Sequence, residues 1–244
     1  MRITITLNNH GTVHLNCNQR LGVYRARMIG GVIFDFDGVI VDSHPAHMQA
    51  WEALLHSKGK AVSHAELSFV REGAKREEIL RHFLGELTPE QITRYGADKD
   101  KLFQAHASEL KLVRGLAEFL LQLDAAALLS AVATSGSRAR VEQALKAFNI
   151  RSHFHAVMMA EDVGRGKPDP ALFLLAAQAL QVDPDRILVC EDAVAGVAAA
   201  KTAGMKCLGI AANGRESMLQ QAGADMVVKD FLHTNLHEVS RLFV

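Results

Sequence analysis

Hydrophobic positions along the chain fall into two rhythms. Short, nearly unbroken apolar runs occur at GVIFDF (31–36), LLSAVAT (128–134), HAVMMA (155–160), RILVCE (186–191), KCLGIA (206–211) and DMVV (225–228). Runs of this length, lacking polar alternation, read as parallel strands covered on both faces. Longer stretches with helical spacing lie between the later runs. RARVEQALKAF follows serines at 135 and 137; PALFLLAAQAL follows Asp169, expected as its N-cap, with Pro170 at the first helical position; AVAGVAAAKTAG ends at Gly204, a C-terminal cap residue. Strand–helix alternation predicts an open, mostly parallel α/β sheet with helices on both faces.

The gap after the first run breaks this rhythm. Roughly ninety residues separate it from the second, far more than one crossover needs. HPAHMQAWEALLHSKG, HAELSFVREG, AKREEILRHFLG and residues 99–111 all carry helical spacing, and Thr88, Pro89 and Gln91 form a capping-box signature. The expected organisation is an α/β core over 29–45 and 114–244, a helical insert over 46–113, and an N-terminal extension over 1–28. The extension contains Arg2, Arg20, Arg25 and Arg27 and no acid, and RITITL alternates as a strand does. Met28 directly precedes the first core strand, so the extension is read as an addition from an upstream start.

Composition narrows the class. With 27 basic and 27 acidic residues in 244, the chain has no net charge, and no general nucleic-acid or membrane-surface footprint is expected. No apolar run reaches the ~18 residues of a membrane span. Cys17, Cys190 and Cys207 are an odd, unpatterned set, which points to a reducing, cytoplasmic setting. A monomer is expected.

Polar residues gather where the strands end. Asp35 and Asp37 close the first run, Thr134 and Ser135 the second; Lys167 follows the third, and Glu191 with Asp192 close the fourth. In open α/β sheets ligands bind beyond the carboxyl ends of the strands. Side chains two apart on a strand share a side, so Asp35 and Asp37 can converge on one ligand. Several carboxylates without a Cys/His cluster suit Mg²⁺, while a lysine, hydroxyls and free backbone N–H groups suit a phosphate. Asp42 and Ser43 are expected to cap the next helix, Gly196 to permit close packing, and His44, His56 and His64 to be scattered surface or core residues.

These motifs resemble those of the haloacid-dehalogenase superfamily, in its β-phosphoglucomutase-like branch with a small helical cap. DFDGV (35–39) matches the first motif, Thr134 in VATSGS the second, Lys167 in GKPDP the third, and Glu191–Asp192 in CEDAVAG the fourth. The resemblance implies a Mg²⁺-dependent phosphatase acting on a small phosphorylated metabolite, a sugar phosphate for preference. It makes Asp35 the nucleophile and Asp37 the general acid and base. Asp35, Asp192 and the Asp37 backbone carbonyl become metal ligands, with Glu191 ligating directly or through water. Thr134, Ser135, Gly136 and Lys167 hold the phosphoryl group.

Arg76 matches a substrate-binding arginine of that branch, or is a surface arginine paired with Glu72. His47 matches too, with Trp51, though the two are four apart on one helix face and could be a packed pair. A mutase passing the phosphoryl group to a sugar hydroxyl is the rival. Against it, Gly136–Ser137–Arg138 stand where mutases carry Ser-Lys-Asn or a close variant. Dehalogenation is disfavoured by the intact Asp37, and phosphonate cleavage by the lack of a clear cap lysine, Arg76 standing beside Lys75. A non-catalytic phospholigand-binding module is the reading from another class; retention of both Asp35 and Asp37 speaks against it.

Overall fold

The computed structural model describes residues 2–6, 12–16, 29–63, 65–67, 70, 76–212 and 214–243. Near the N-terminus, β1 (Arg2–Thr6) and β2 (Thr12–Asn16) pair antiparallel, in keeping with the alternation of RITITL. The main body begins with β3 (Gly31–Phe34) and the short β4 (Val41–Asp42). Three helices follow: α1 (His44–Ser57), α2 (Arg76–Leu84) and α3 (Pro89–Ala105). The chain returns through β5 (Lys111–Leu112) to α4 (Leu116–Ala125) and β6 (Leu129–Thr134). It continues as α5 (Arg138–Ala147), β7 (Ala156–Met159), α6 (Ala171–Leu180) and β8 (Ile187–Glu191). It closes with α7 (Val194–Thr202), β9 (Lys206–Ile210), α8 (Glu216–Gln221), β10 (Met226–Val228) and α9 (Leu236–Ser240).

Six strands form one sheet in the order β10-β9-β8-β3-β6-β7, every pairing parallel. Their continuous apolar character follows from burial on both faces. Val32 and Phe34 enter one core with Phe119, Leu120 and Val141, and Ile33 enters the other with Leu172, Phe173 and Val197. Val32, Ile33 and Phe34 are fully buried, and each such side chain contributes about 2 kcal/mol of hydrophobic free energy. Cys190 belongs to the first core and Cys207 to the second, so these two thiols lie on opposite faces of the sheet. From β3 the chain first extends the sheet through β6 and β7, then crosses to build β8, β9 and β10 on the other side. The reversal places a crevice beyond the carboxyl end of β3.

The helices between β4 and β5 have a core of their own, built on Met48, Trp51, Leu54, Leu55, Leu67, Ile79, Leu80 and Phe83. The Thr88 capping box forms as expected: Gln91 N–H donates to Thr88 Oγ1, and Thr88 N–H to Gln91 Oε1. One expectation fails here. The 99–111 stretch is not one helix: α3 ends at Ala105, and Lys111–Leu112 is extended, Val41 pairing with Leu112 and Asp42 with Lys111. The apolar pattern continued through the end of the helix, while the pairing with β4 decided the backbone. In the HAELSFVREG segment the described residues form turns at 65–67 and 70, and the rest lies outside the described residues, as do Glu72, Gly73, Lys75 and His64. Among the described residues no helix is long and apolar enough to cross a membrane.

Helix starts also differ in detail. α6 begins at Ala171 with Pro170 as its cap residue; Asp169 instead accepts the Ala171 N–H at 2.9 Å, so its capping contact survives one position off. Gly204 has φ of 77°, the left-handed geometry expected just past the end of α7.

Candidate active site

β3 ends at Phe34, and its last hydrogen-bonded neighbour is Asp35, whose N–H donates to Cys190 O at 3.0 Å. Asp37 lies beyond the strand, in a turn where Gly38 N–H donates to Val41 O at 2.8 Å. The simple alternation expected for Asp35 and Asp37 therefore does not apply, yet both line one cavity of about 750 Å³ between the sheet and the helical insert. Gly38 has φ of 77°, and a Cβ there would collide with the Asp192 carboxylate, so only glycine makes this turn against that acid.

The same cavity is lined by Thr134, Ser135, Gly136, Lys167, Glu191 and Asp192 from the core, and by His47 and Arg76 from the insert. Every candidate residue named from the sequence thus reaches one crevice. Lys167 is the pivot. Its ammonium donates to Asp35 Oδ1 at 2.5 Å and to Glu191 Oε2 at 2.7 Å, with its side chain only 9% exposed. Burial alone would lower its pKa, but the two carboxylates drive it above the ordinary lysine value. Burial pushes Asp35 well above the usual carboxylate range, Glu191 and Asp192 add to the push, and Lys167 opposes it. Glu191 is raised for the same reason, burial first.

Glu191 has both oxygens engaged within the protein. Oε1 accepts the N–H groups of Asp192 at 3.1 Å and Ala193 at 3.0 Å, and Oε2 takes Lys167. A Cβ on Gly196 would overlap the Glu191 carboxylate, so the expected close-packing role of that glycine is realised against an acid of the site. Thr134, 1% exposed, accepts the Gly136 N–H at 3.1 Å, which shapes the turn that opens α5.

Asp35, Glu191 and Asp192 each offer an oxygen within 4.8 Å of the others'. Asp35 and Glu191 share one ammonium, while Arg215 and His44 serve Asp192 alone, which leaves negative charge in excess around the first two; both of these acids are raised, by burial first and then by neighbouring carboxylates. A divalent oxygen-seeking ion removes that excess, so this donor set fits Mg²⁺. The side chain of Asp37 is not part of this cluster.

Asp37 is held from elsewhere. Arg140 donates to its two oxygens at 2.7 and 2.5 Å, Ser43 Oγ donates to Oδ1 at 2.6 Å, and His47 Nε2 stands 3.4 Å from Oδ1. Burial would raise this acid, but the hydrogen bonds and charge of Arg140, with help from His47, bring it well below the carboxylate range. Ser43 occupies the N-cap position of α1 without making a capping bond; its hydroxyl is spent on Asp37 instead, which corrects the expected capping role. His44 is likewise no scattered residue. Its Nε2 lies 2.8 Å from Asp192 Oδ2, and although burial works against its charge, that contact lifts its pKa. Arg215 approaches the same Asp192 oxygen at 3.5 Å.

Arg76 pairs with Asp100 through Nη2 at 2.8 and 3.0 Å; the expected partner Glu72 lies outside the described residues. His47 stacks on Phe103 with ring centroids 4.3 Å apart, and its Nδ1 lies 2.6 Å from Lys99 Nζ. Trp51 packs in the core of the insert and also borders the cavity. Lys99 is 5% exposed and has no carboxylate within ion-pair distance among the described residues.

Burial lowers the pKa of Lys99 to about 8; the charges of Asp100 and Asp37 favour its ammonium form, and those of Arg140 and Arg76 oppose it. The folded protein sheds this proton near pH 8 and the unfolded chain near the ordinary 10.5. Folding therefore becomes more favourable as pH climbs across that interval. We expect lysine side-chain NMR to show one resonance titrating near pH 8 that is missing in Lys99→Met; a spectrum in which every lysine titrates near 10 would refute it.

A parallel sheet with an acid-rich, lysine-bridged crevice at its reversal point is the layout of a doubly wound enzyme that works on an anionic ligand. The match to the haloacid dehalogenase-like hydrolase family covers residues 32–210, and the chain belongs to that family, in its β-phosphoglucomutase-like branch. It is 33% identical to β-phosphoglucomutase of Bacillus subtilis over 227 residues, covering 85% of this chain and 93% of that one. It is also 33% identical to validoxylamine A 7′-phosphate phosphatase of Streptomyces hygroscopicus over 205 residues, covering 81% and 92%. A chloroplastic 5-amino-6-(5-phospho-D-ribitylamino)uracil phosphatase of Arabidopsis thaliana is 29% identical over 215 residues, 87% of this chain; the match spans 57% of that longer protein.

Proposed function

We propose that this protein is a Mg²⁺-dependent phosphatase that hydrolyses a small phosphorylated metabolite, a sugar phosphate for preference, through an aspartyl-phosphate. The observation that carries the reading is the convergence of Asp35, Lys167, Glu191 and Asp192 in one buried cluster bordering the cavity that also takes Asp37. Asp35 attacks phosphorus as its P–O ester bond breaks, and Asp37, ionised at rest, leaves Arg140, takes a proton from solvent and gives it to the departing oxygen. Asp37 then takes a proton from the water that attacks the aspartyl-phosphate, which releases inorganic phosphate and restores the Asp35 carboxylate. Lys167 offsets the repulsion between an anionic nucleophile and an anionic ester. The backbone N–H of Ser135 and the Thr134 hydroxyl orient the phosphoryl oxygens, and the Gly136 N–H holds Thr134 Oγ1 in place.

Asp35, Asp192 and the Asp37 carbonyl would hold Mg²⁺, while Glu191, with both oxygens engaged, acts from behind them. When bound, the ion supplies charge neutralisation at the phosphoryl group. A cytoplasmic monomer without nucleic-acid or membrane partners is part of the same reading.

Hydrolysis is favoured over mutase chemistry by Arg138. At the position where mutases carry a polar anchor, its guanidinium turns to Asp162 at 2.8 Å and Glu161 at 3.3 Å. The test is incubation with β-glucose 1-phosphate and a panel of phosphate esters, with Mg²⁺ or with EDTA. Inorganic phosphate appearing only with Mg²⁺ is expected. Accumulation of glucose 6-phosphate would put the mutase in its place, and neither product with any ester would sink both and leave the binding-module reading.

A further inference from the structure

Arg140 has no place in the four motifs, yet it makes the closest contacts to Asp37. Both terminal nitrogens meet both carboxylate oxygens, and Ser43 adds a third hydrogen bond. A bidentate guanidinium contact is among the strongest a carboxylate can make. With both oxygens on Arg140, Asp37 is turned toward that guanidinium at rest, although it still borders the cavity. Arg140 is itself confined: its guanidinium carbon lies 5.4 Å from the ring centre of Phe36 in the core and 5.1 Å from that of Phe103 in the insert. It is therefore sandwiched where the two bodies meet.

A second cavity of about 250 Å³ opens beside this contact, bordered by three cations, Arg76, Lys99 and Arg140, and by only two acids, Asp37 and Asp100. Arg140 is committed to Asp37 and Arg76 to Asp100. Lys99 is buried with an imidazole nitrogen as its hydrogen-bond partner and the Phe103 ring 5.0 Å away, and it makes no ion pair among the described residues. An ammonium buried in that way is a standing vacancy for an anion.

We propose that Arg140 is a specificity-determining latch: it holds the Asp37 carboxylate in the resting protein and is drawn off by a second anionic group on the substrate. The preferred substrates are then phosphomonoesters whose far end carries a carboxylate or a phosphate. The latch explains why a general acid should be clamped at rest. An ester with a neutral tail leaves Arg140 on Asp37 and turns over slowly. One with an anionic tail takes Arg140 with Lys99, freeing Asp37 for the leaving oxygen. The proposal rests on the phosphatase reading for its turnover arm only, since the anion preference is measurable by binding.

The test uses two matched pairs that differ only in the far group: 3-phosphoglycerate with glycerol 3-phosphate, and 6-phosphogluconate with sorbitol 6-phosphate. In Asp35→Asn, calorimetry with Mg²⁺ should show the acid of at least one pair binding at least tenfold more tightly than its neutral partner. Adding Arg140→Met should abolish that preference. On the Asp35 background, Arg140→Met should raise kcat for the neutral partner and lower kcat/KM for the acid, opposite signs that simple structural damage would not produce.

Arg140→Lys guards against misfolding. It keeps one charge but cannot hold two oxygens, so it should retain part of the preference while raising kcat for the neutral partner. Equal affinities within both pairs, or a preference that survives Arg140→Met, would overturn the latch. Absence of turnover with every ester, alongside the expected binding preference, would sink the phosphatase reading and leave the anion site standing.

Discussion

Asp35→Asn is expected to lower phosphate release from p-nitrophenyl phosphate by about four orders of magnitude or more, the scale seen when a nucleophile is removed. The substitution is nearly isosteric. It removes the attacking oxyanion while leaving a side chain of the same shape beside Lys167. Because Asp35 sits among Glu191 and Asp192, removing one of three crowded negative charges should also leave the fold intact or make it more stable. The measurement is therefore double: turnover collapses while the melting temperature holds or rises. A variant that melted far lower would make its inactivity uninformative about mechanism, and substantial residual activity in a folded variant would remove Asp35 from the nucleophile's role.

Lys167→Met should act in the reverse sense on stability. The ammonium that bridges Asp35 and Glu191 disappears, and those two buried carboxylates lose their shared cation, Arg215 and His44 serving Asp192 alone. Breaking a buried charge pair from one side costs about 3–5 kcal/mol. The loss should depend on pH. Without Lys167 the folded-state pKa values of Asp35 and Glu191 rise further above the ordinary value of about 4, so stability falls as pH rises beyond that point and is recovered in acid. Mg²⁺ should compensate. Denaturation in urea with EDTA and with saturating Mg²⁺ should give a metal increment larger in Lys167→Met than in the unaltered protein. A smaller or equal increment would mean that the carboxylates are not the metal's ligands.

Much of this crevice is legible in the chain itself. Asp35, Thr134, Lys167, Glu191 and Asp192 each stand at the end of an unbroken apolar run or in the loop after one, where a buried strand meets the ligand side of the sheet. Chemistry at such places stands out because the surroundings are so uniformly apolar. Ser43, His44, Lys99, Arg140 and Arg215 carry no such mark. They lie on helices or loops whose polar positions look like ordinary solvated faces, and only the docking of the insert on the core turns them inward.

Arg140 did leave a trace. It falls in the first turn of α5, which has no acid there, although helix N-termini disfavour cations. A guanidinium at that end calls for an acid close by, and Asp37 supplies it. The end of α3 was hidden for a different reason. Leu110 and Leu112 continue its apolar spacing, but both pack against the sheet-side core, Leu110 also touching the small cluster of Ala46, Ala50 and Phe103.

The two-stranded ribbon of β4 and β5 has a consequence for how such a molecule can change over time. The chain leaves the sheet at Val41–Asp42 and comes back at Lys111–Leu112, strands that are hydrogen-bonded to each other. To the sheet, everything between them is a closed loop whose ends are already together. Lengthening such a loop carries a penalty that grows only with the logarithm of its length. The helices above the crevice can therefore be enlarged, trimmed or exchanged as a cassette, with the acids and Lys167 below left undisturbed.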